Sequence, residues 1–293
     1  MGFGSYTAGD WKRLKESRRI DSKSTNEIFV SVKMDDKYNP KYVDKREARD
    51  SEAHPNSTPI IIGVDVTGSM GYLSTQIIKE SLNEFMQKMY STDIIRDPQL
   101  LFAAIGDAKS DSAPLQVTQF ESDIRIADQL LDLWLEGQGG DIPEDYELVW
   151  YFASKHTDID CYNKRKEKGF CITIGDAPCQ EVLDSCSIKK VFDEDSIDCT
   201  SEYLAQEASK KYELFHIMIG DSVSNLQDII PGRVLVISKS DVKYLPEIIF
   251  SVMQISKGMD RGIVLRQCGE LARKVVSEAL KLVCFGNLDE ISF

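Results

Sequence analysis

The sequence predicts an α/β fold: a doubly wound, mainly parallel central sheet flanked by helices, preceded by an N-terminal extension. Three observations lead there. From Pro59 onward, short apolar runs alternate with segments of helical period, the pattern of successive βα units. The run Ile60-Ile61-Ile62-Gly63-Val64 is nearly continuous in branched aliphatics, as a central strand covered on both faces requires. Residues 1–57 share neither pattern, with mixed charge from Asp35 to Asp50 and a polar exit through Ser51, Glu52, His54, Pro55, Asn56 and Ser57.

Within the extension, Trp11, Leu14 and Ile20 among Lys12, Arg13, Lys15, Arg18 and Arg19 form a basic amphipathic helix, and residues 28–32 form an edge strand. This segment reads equally as a partner-docking arm and as a strap lying on the domain. After the strand at 60–64, Leu73, Ile77, Ile78, Leu82, Phe85, Met86 and Met89 lie on one helical stripe. Strands follow at 100–105 and, less buried, at 115–120; a helix over 123–134 then leads into the loop 136–141. A further helix starts near Pro143, a residue suited to a first turn. Next come a strand at 170–174, a helix at 202–211, and strands at 214–219 and 234–237. The chain closes on a helix over 242–256 and on a second one through Val264, Cys268, Leu271, Val275, Ala279 and Leu282. The expected organisation is an extension at 1–57, a domain at 58–258 and a C-terminal helix within 259–293.

With 293 residues and 42% hydrophobic content, the chain can bury a large core. Its formal charge of −13 opposes binding to nucleic acid phosphates and to anionic membranes, and favours metal ions and basic partners. No apolar run approaches the roughly 18 residues of a membrane helix, and the start lacks the layout of a signal peptide, so the expected compartment is the cytosol. Seven cysteines with no Cys-x-x-Cys pair read as free thiols, and three unpaired histidines make zinc a poor fit. His216 lies in an apolar strand and reads as core; Tyr146, Trp150, Tyr151 and Phe152, with Trp134, read as core rather than as a ligand cage. Lys164, Arg165, Lys166 and Lys168 read as a solvated loop.

Chemistry concentrates after the first central strand. In open parallel sheets ligands bind beyond the carboxyl ends of the strands, where Asp65-Val66-Thr67-Gly68-Ser69 stands. One carboxylate and two hydroxyls at alternate positions, with a glycine easing the turn, can aim several hard oxygens at one point, which suits Mg²⁺, Mn²⁺ or Ca²⁺. Two later loops, Gly139-Gly140-Asp141 and Gly175-Asp176, are expected to converge there. Asp107 and Asp111 read as ordinary solvated loop acids, or as groups that orient metal-bound water.

Asp-x-Thr-Gly-Ser-Met after an aliphatic strand resembles the metal-ion-dependent adhesion site of von Willebrand factor A (VWA) domains. The Gly-Gly-Asp-x-Pro-Glu and Gly-Asp-Ala-Pro-Cys stretches resemble the matching loops of the bacterial and alpha-kinase-associated branch, and the likeness covers roughly 58–255. It implies a Rossmann-like VWA fold, direct binding of the metal by Thr67 and Ser69, and action of Asp65 and Asp176 mostly through bound water. Where that family usually donates a threonine from its second loop, this chain has Asp141, with Glu144 a turn further on. A second carboxylate neutralises more of the ion's charge, tightening metal binding and weakening attraction for an acidic partner group.

The function implied is a non-catalytic, metal-dependent protein-interaction module, an intracellular scaffold or the partner of an AAA+ ATPase of the MoxR type. The chain has no Gly-x-x-x-x-Gly-Lys-Ser/Thr stretch of its own. Two alternatives stand beside it. One is a metal-dependent phosphatase-like enzyme with Asp65 as nucleophile, although Thr67 stands where such an enzyme needs a general acid. The other is a phage-particle or surface adhesin.

Overall fold

The computed structural model describes residues 4–68, 70–137, 143–220 and 225–285. The extension carries helices α1 (Ala8–Arg18) and α2 (Thr25–Ile28) and the short strand β1 (Arg46–Ala48). The sheet begins with β2 (Thr58–Asp65), followed by α3 (Gly71–Gln76), a π-helical turn (Ile77–Ser81) and α4 (Leu82–Tyr90), which run on as one helix. Then come β3 (Pro98–Ile105), β4 (Leu115–Val117), α5 (Arg125–Asp132), α6 (Glu147–Lys155), β5 (Thr157–Ile159), α7 (Asp160–Arg165) and β6 (Gly169–Gly175). They are followed by β7 (Val182–Leu183), α8 (Ser185–Phe192), β8 (Cys199–Thr200), α9 (Ser201–Ser209), β9 (Tyr212–Ile219), α10 (Leu226–Ile229) and β10 (Val234–Ile237). The described chain ends with α11 (Leu245–Ser256), α12 (Arg261–Gln267) and α13 (Glu270–Ala279).

Six strands form the central sheet in the order β10-β9-β6-β2-β3-β4, parallel throughout except for β4. The fold is thus α/β with a mainly parallel, doubly wound sheet. The chain builds outward from β2 through β3 to β4, then returns to β6 and builds the other way. That reversal opens a crevice between the carboxyl ends of β2 and β6, the place where such sheets bind ligands.

Alternation along β2 shows how each face is filled. Ile60, Ile62 and Val64 join one apolar cluster with Leu73, Ile78 and Met86 of the α3–α4 helix and with Ile248 and Val252 of α11. Ile61 faces the other cluster, built on Val149 and Trp150 of α6 and Leu204 and Ala208 of α9. Gly63 lets α6 come close, since a Cβ there would lie 3.2 Å from Val149 Cγ2.

The extension packs against the first face. Tyr6, Trp11, Leu14, Ile20, Ile28 and Phe29 belong to the same apolar cluster as the sheet. Tyr6 Oη donates to Asn83 Oδ1 at 3.1 Å, and Lys79 Nζ donates to the Lys23 carbonyl at 2.6 Å. Farther along, β1 pairs in parallel with β5. The helix expected around Trp11 is present, but the edge strand expected at 28–32 is not. Ser24 and Glu27 close a capping box that makes Thr25–Ile28 a helical turn, and Val30 and Val32 are 67% and 84% exposed. The helix expected from near Pro143 begins at Glu147, because Glu144 is taken into a β-bridge with Cys179.

The basic run is also more structured than expected. Lys164 and Arg165 end α7, and both reach back to Asp50 of the extension, Arg165 Nη1 at 2.6 Å from Asp50 Oδ2. All seven cysteines are free thiols, and Tyr146, Trp150, Tyr151 and Phe152 are core residues. Among the described residues, no helix is long and apolar enough to cross a membrane.

Candidate metal centre

β2 ends in Asp65, which pairs with Ile105 of β3, while Val64 pairs with Ile174 of β6. Three strand ends therefore arrive together, and Asp65 stands at the middle one. Its Oδ1 accepts from the Thr67 backbone N–H at 2.8 Å and from the Thr67 hydroxyl at 2.7 Å, a local turn closed by the aspartate itself. The Thr67 hydroxyl also lies 3.3 Å from Glu144 Oε1, so a single side chain links carboxylates that are far apart in sequence. Among the described residues, the remaining oxygens of both acids, Asp65 Oδ2 and Glu144 Oε2, are buried without a hydrogen-bond partner.

Electrostatics reflect that arrangement. Burial pushes the Asp65 carboxyl up to about 6; the hydrogen bonds from Thr67 oppose the rise, and the charges of Asp176 and Asp111 add to it. Glu144 is pushed up to about 8, first by burial and next by the Asp65 charge. Asp111 and Asp145 are raised as well, burial again leading. Glu147, fully buried behind them, is held far above the usual carboxylate range by burial and by Asp145. The carboxyl ends of these strands thus carry several acids short of compensating charge.

Glu144 is held by its backbone. Its N–H donates to the Pro178 carbonyl at 2.8 Å, and its own carbonyl accepts from Gln180 N–H at 3.0 Å. Asp176 follows directly on Gly175, the last residue of β6, and lies 3.6 Å from Lys239 Nζ. Gly175 cannot carry a side chain, for a Cβ there would sit 1.9 Å from the Tyr146 hydroxyl, which accepts from Ala177 N–H at 3.4 Å. Asp107 and Asp111 are not the solvated loop acids expected, since they are 6% and 4% exposed and build their own loop. Asp107 Oδ1 accepts from Lys109 and Ser110 N–H at 2.6 and 3.0 Å, and Asp111 Oδ2 accepts from Asp107 N–H at 2.9 Å.

Of the five residues expected to hold a metal, Asp65 and Thr67 are in direct contact and Asp176 directly follows the adjacent strand; Ser69 and Asp141 lie outside the described residues. The carboxylate that meets the loop is Glu144. It stood in the sequence only as a neighbour of Asp141, and Pro143 before it pointed the other way, toward a helix that would have absorbed it. His216 is buried in the sheet, with Nδ1 2.9 Å from Thr173 Oγ1, and burial lowers it to about 3, so it is a neutral core residue.

The donors here are carboxylate and hydroxyl oxygens, and two of them are buried carboxylate oxygens with unmet charge. That set fits a hard divalent cation and not a thiolate-preferring metal. Among the described residues, no group of three or more His, Cys, Asp and Glu side chains is gathered closely enough to hold an ion by itself. Part of the expected set is hydroxyl, and part lies outside the described residues.

No protein-family model and no curated sequence matches this chain. Among solved structures it is similar to proximal thread matrix protein 1 from the mussel byssus, at 12% identity and a TM-score of 0.44, over 67% of this chain and 48% of that one. It is also similar to the pilus adhesin SpaC from Lactobacillus rhamnosus GG in an open conformation, at 8% identity and a TM-score of 0.43, over 75% of this chain and 31% of that one. The matches span less than half the length of either protein.

Proposed function

We propose that this chain is a VWA-like, metal-ion-dependent protein-interaction module, in which Asp65, Thr67, Ser69, Glu144 and Asp176 hold Mg²⁺, with Mn²⁺ or Ca²⁺ as substitutes. One observation carries the reading: Asp65 and Glu144 share the Thr67 hydroxyl, and each keeps a buried oxygen without a partner among the described residues. Two carboxylates so placed destabilise each other unless a cation or a proton joins them. A bound divalent ion supplies that charge and offers an oxygen of a partner protein a coordination position. Asp65 and Thr67 hold the loop in shape, Glu144 brings the second negative charge, and Lys239 offsets part of the charge of Asp176.

Asp65 and Glu144 beside one divalent ion, with Asp176 acting through bound water, leave little net positive charge to attract an acidic partner group. The partner oxygen that suits such a centre is therefore neutral, a carbonyl or hydroxyl, more than a carboxylate. Calorimetric titration with Mg²⁺ and Mn²⁺ tests the metal: wild type binds, and Asp65→Ala weakens binding by roughly 100-fold or more. Absence of binding in wild type at millimolar ion sinks the proposal. Metal-dependent phosphate ester hydrolysis that disappears in Asp65→Asn replaces it with the enzymatic alternative.

A further inference from the structure

Behind Glu144 the chain is gripped by a side chain that is not among the proposed metal donors. Cys179 is fully buried, and both of its backbone groups are taken by the carboxamide of Asn225. The Cys179 N–H donates to Asn225 Oδ1 at 3.0 Å, and Asn225 Nδ2 donates to the Cys179 carbonyl at 2.8 Å. The neighbours of Cys179 point the opposite way, Pro178 and Gln180 bonding the Glu144 backbone at 2.8 and 3.0 Å. Gln180 Nε2 adds a bond to the Pro143 carbonyl at 3.0 Å. Residues 178–180 thus run as the middle of a three-layer ladder, with Glu144 on one side and one carboxamide standing in for a strand on the other.

Two features mark Asn225 as more than a helix start. It occupies the N-cap of α10, where an asparagine side chain ordinarily accepts from its own helix, yet it makes no such bond. Its carboxamide is spent on Cys179 instead. It is also firmly mounted, since Leu226 and Ile229 of α10 are buried in the core. A carboxamide carries donor and acceptor on two separate atoms; an aspartate in its place has no donor for the Cys179 carbonyl, and the single oxygen of a serine or threonine does not span both Cys179 groups as Oδ1 and Nδ2 do.

We propose that Asn225 is a positioning residue for the metal centre: through Cys179 it fixes the backbone from which Glu144 reaches the Asp65–Thr67 loop. This rests on the reading of that loop as a divalent-cation site. Asn225 acts on the ion only by holding a donor in place, as outer partners of metal ligands do.

The test uses the full chain and Mn²⁺ alone, with affinity followed by electron paramagnetic resonance. Asn225→Ala is expected to weaken Mn²⁺ binding roughly 10-fold. Asn225→Asp, which keeps the acceptor for the Cys179 N–H, falls between it and wild type and serves in its place if the alanine variant fails to fold. In a Glu144→Gln background, Asn225→Ala costs no further affinity, whereas a general loosening of the fold costs the same factor in both backgrounds. A metal-independent readout accompanies these: in chelator, Asn225→Ala speeds amide exchange at Glu144 and Gln180 and leaves β2 protected. Equal Mn²⁺ affinity of wild type and Asn225→Ala, or the same loss in the Glu144→Gln background, overturns the positioning role alone. A wild type that binds no Mn²⁺ overturns the cation site and this role with it.

Discussion

The acids around Arg49 and the acids around Asp65 are built from the same residue types and have opposite electrostatics. Near the start of β2, Arg49 reaches Glu47, Asp158 and Asp160, while Arg165 and Lys164 reach Asp50. Burial works against ionisation of Asp50 and Asp160. Hydrogen bonds from Ser57 and Arg165 to the first, and from Lys164, the Asp50 backbone and Arg49 to the second, outweigh it, so both lie below the usual carboxylate range. Asp158 is held down first by its bond from Arg49. At the other end of β2, Asp65, Glu144, Asp111, Asp145 and Glu147 are all raised, with burial the leading cause. Where an acid ties the extension to the domain, the chain supplies its own cation. Around the Asp65 loop the described residues bring Lys239 to Asp176 and leave the acids raised all the same, an asymmetry that supports the proposed cation site.

The largest expected effect is on pH dependence. A carboxyl whose folded value is raised binds its proton more tightly in the folded state, so the folded state loses ground as pH rises from the unfolded value toward the folded one. For Glu144 that window runs from 4.5 to about 8. Urea unfolding in chelator should show stability falling across it, by on the order of 3 kcal/mol. Saturating Mg²⁺ should flatten the slope, and Glu144→Gln without metal should remove the part of it above about 6, where Asp65 has already titrated. A flat profile for the metal-free wild type erases the contrast between the two regions.

Next in size, Arg49→Ala should cost about 2 kcal/mol at neutral pH, between the values for exposed and for buried ion pairs. The carboxyls it serves are lowered, so the loss should shrink as acid titrates them, the reverse of the Glu144 trend. A cost that stays constant as acid titrates those carboxyls would show that Arg49 acts by packing. The smallest effect belongs to Lys189, whose pairs with Asp193 and Asp195 are exposed. Lys189→Ala should leave the melting temperature unchanged, which separates ion pairs that lock the extension from those that merely decorate a helix.

The central strands were legible because a strand buried on both faces must be an apolar run, and 60–64, 100–105, 170–174 and 214–219 fall inside β2, β3, β6 and β9, as 234–237 does inside the edge strand β10. The stretch 28–32 misled because Ile28 and Phe29 are single anchors into the core and not one face of a ladder. β1 and β5 left no trace, for three-residue strands that meet across a long separation in sequence show no period. The turn at Asp65 could be read because the bonds that close it, from the Thr67 backbone and hydroxyl to Asp65, are local. Glu144 and Asn225 could not, since each is defined by a contact with residues 178–180 that only the folded chain creates.

Gly175 and the Tyr146 hydroxyl occupy one volume between them, although one ends a strand and the other precedes a helix. Neither position can vary freely: a side chain at 175 demands the loss of the phenol at 146, and a bulkier ring at 146 displaces the residue before Asp176. Among related sequences the two positions should therefore be inherited as a pair, changing together or not at all, a signature of shared ancestry at this loop that overall identity is too coarse to register.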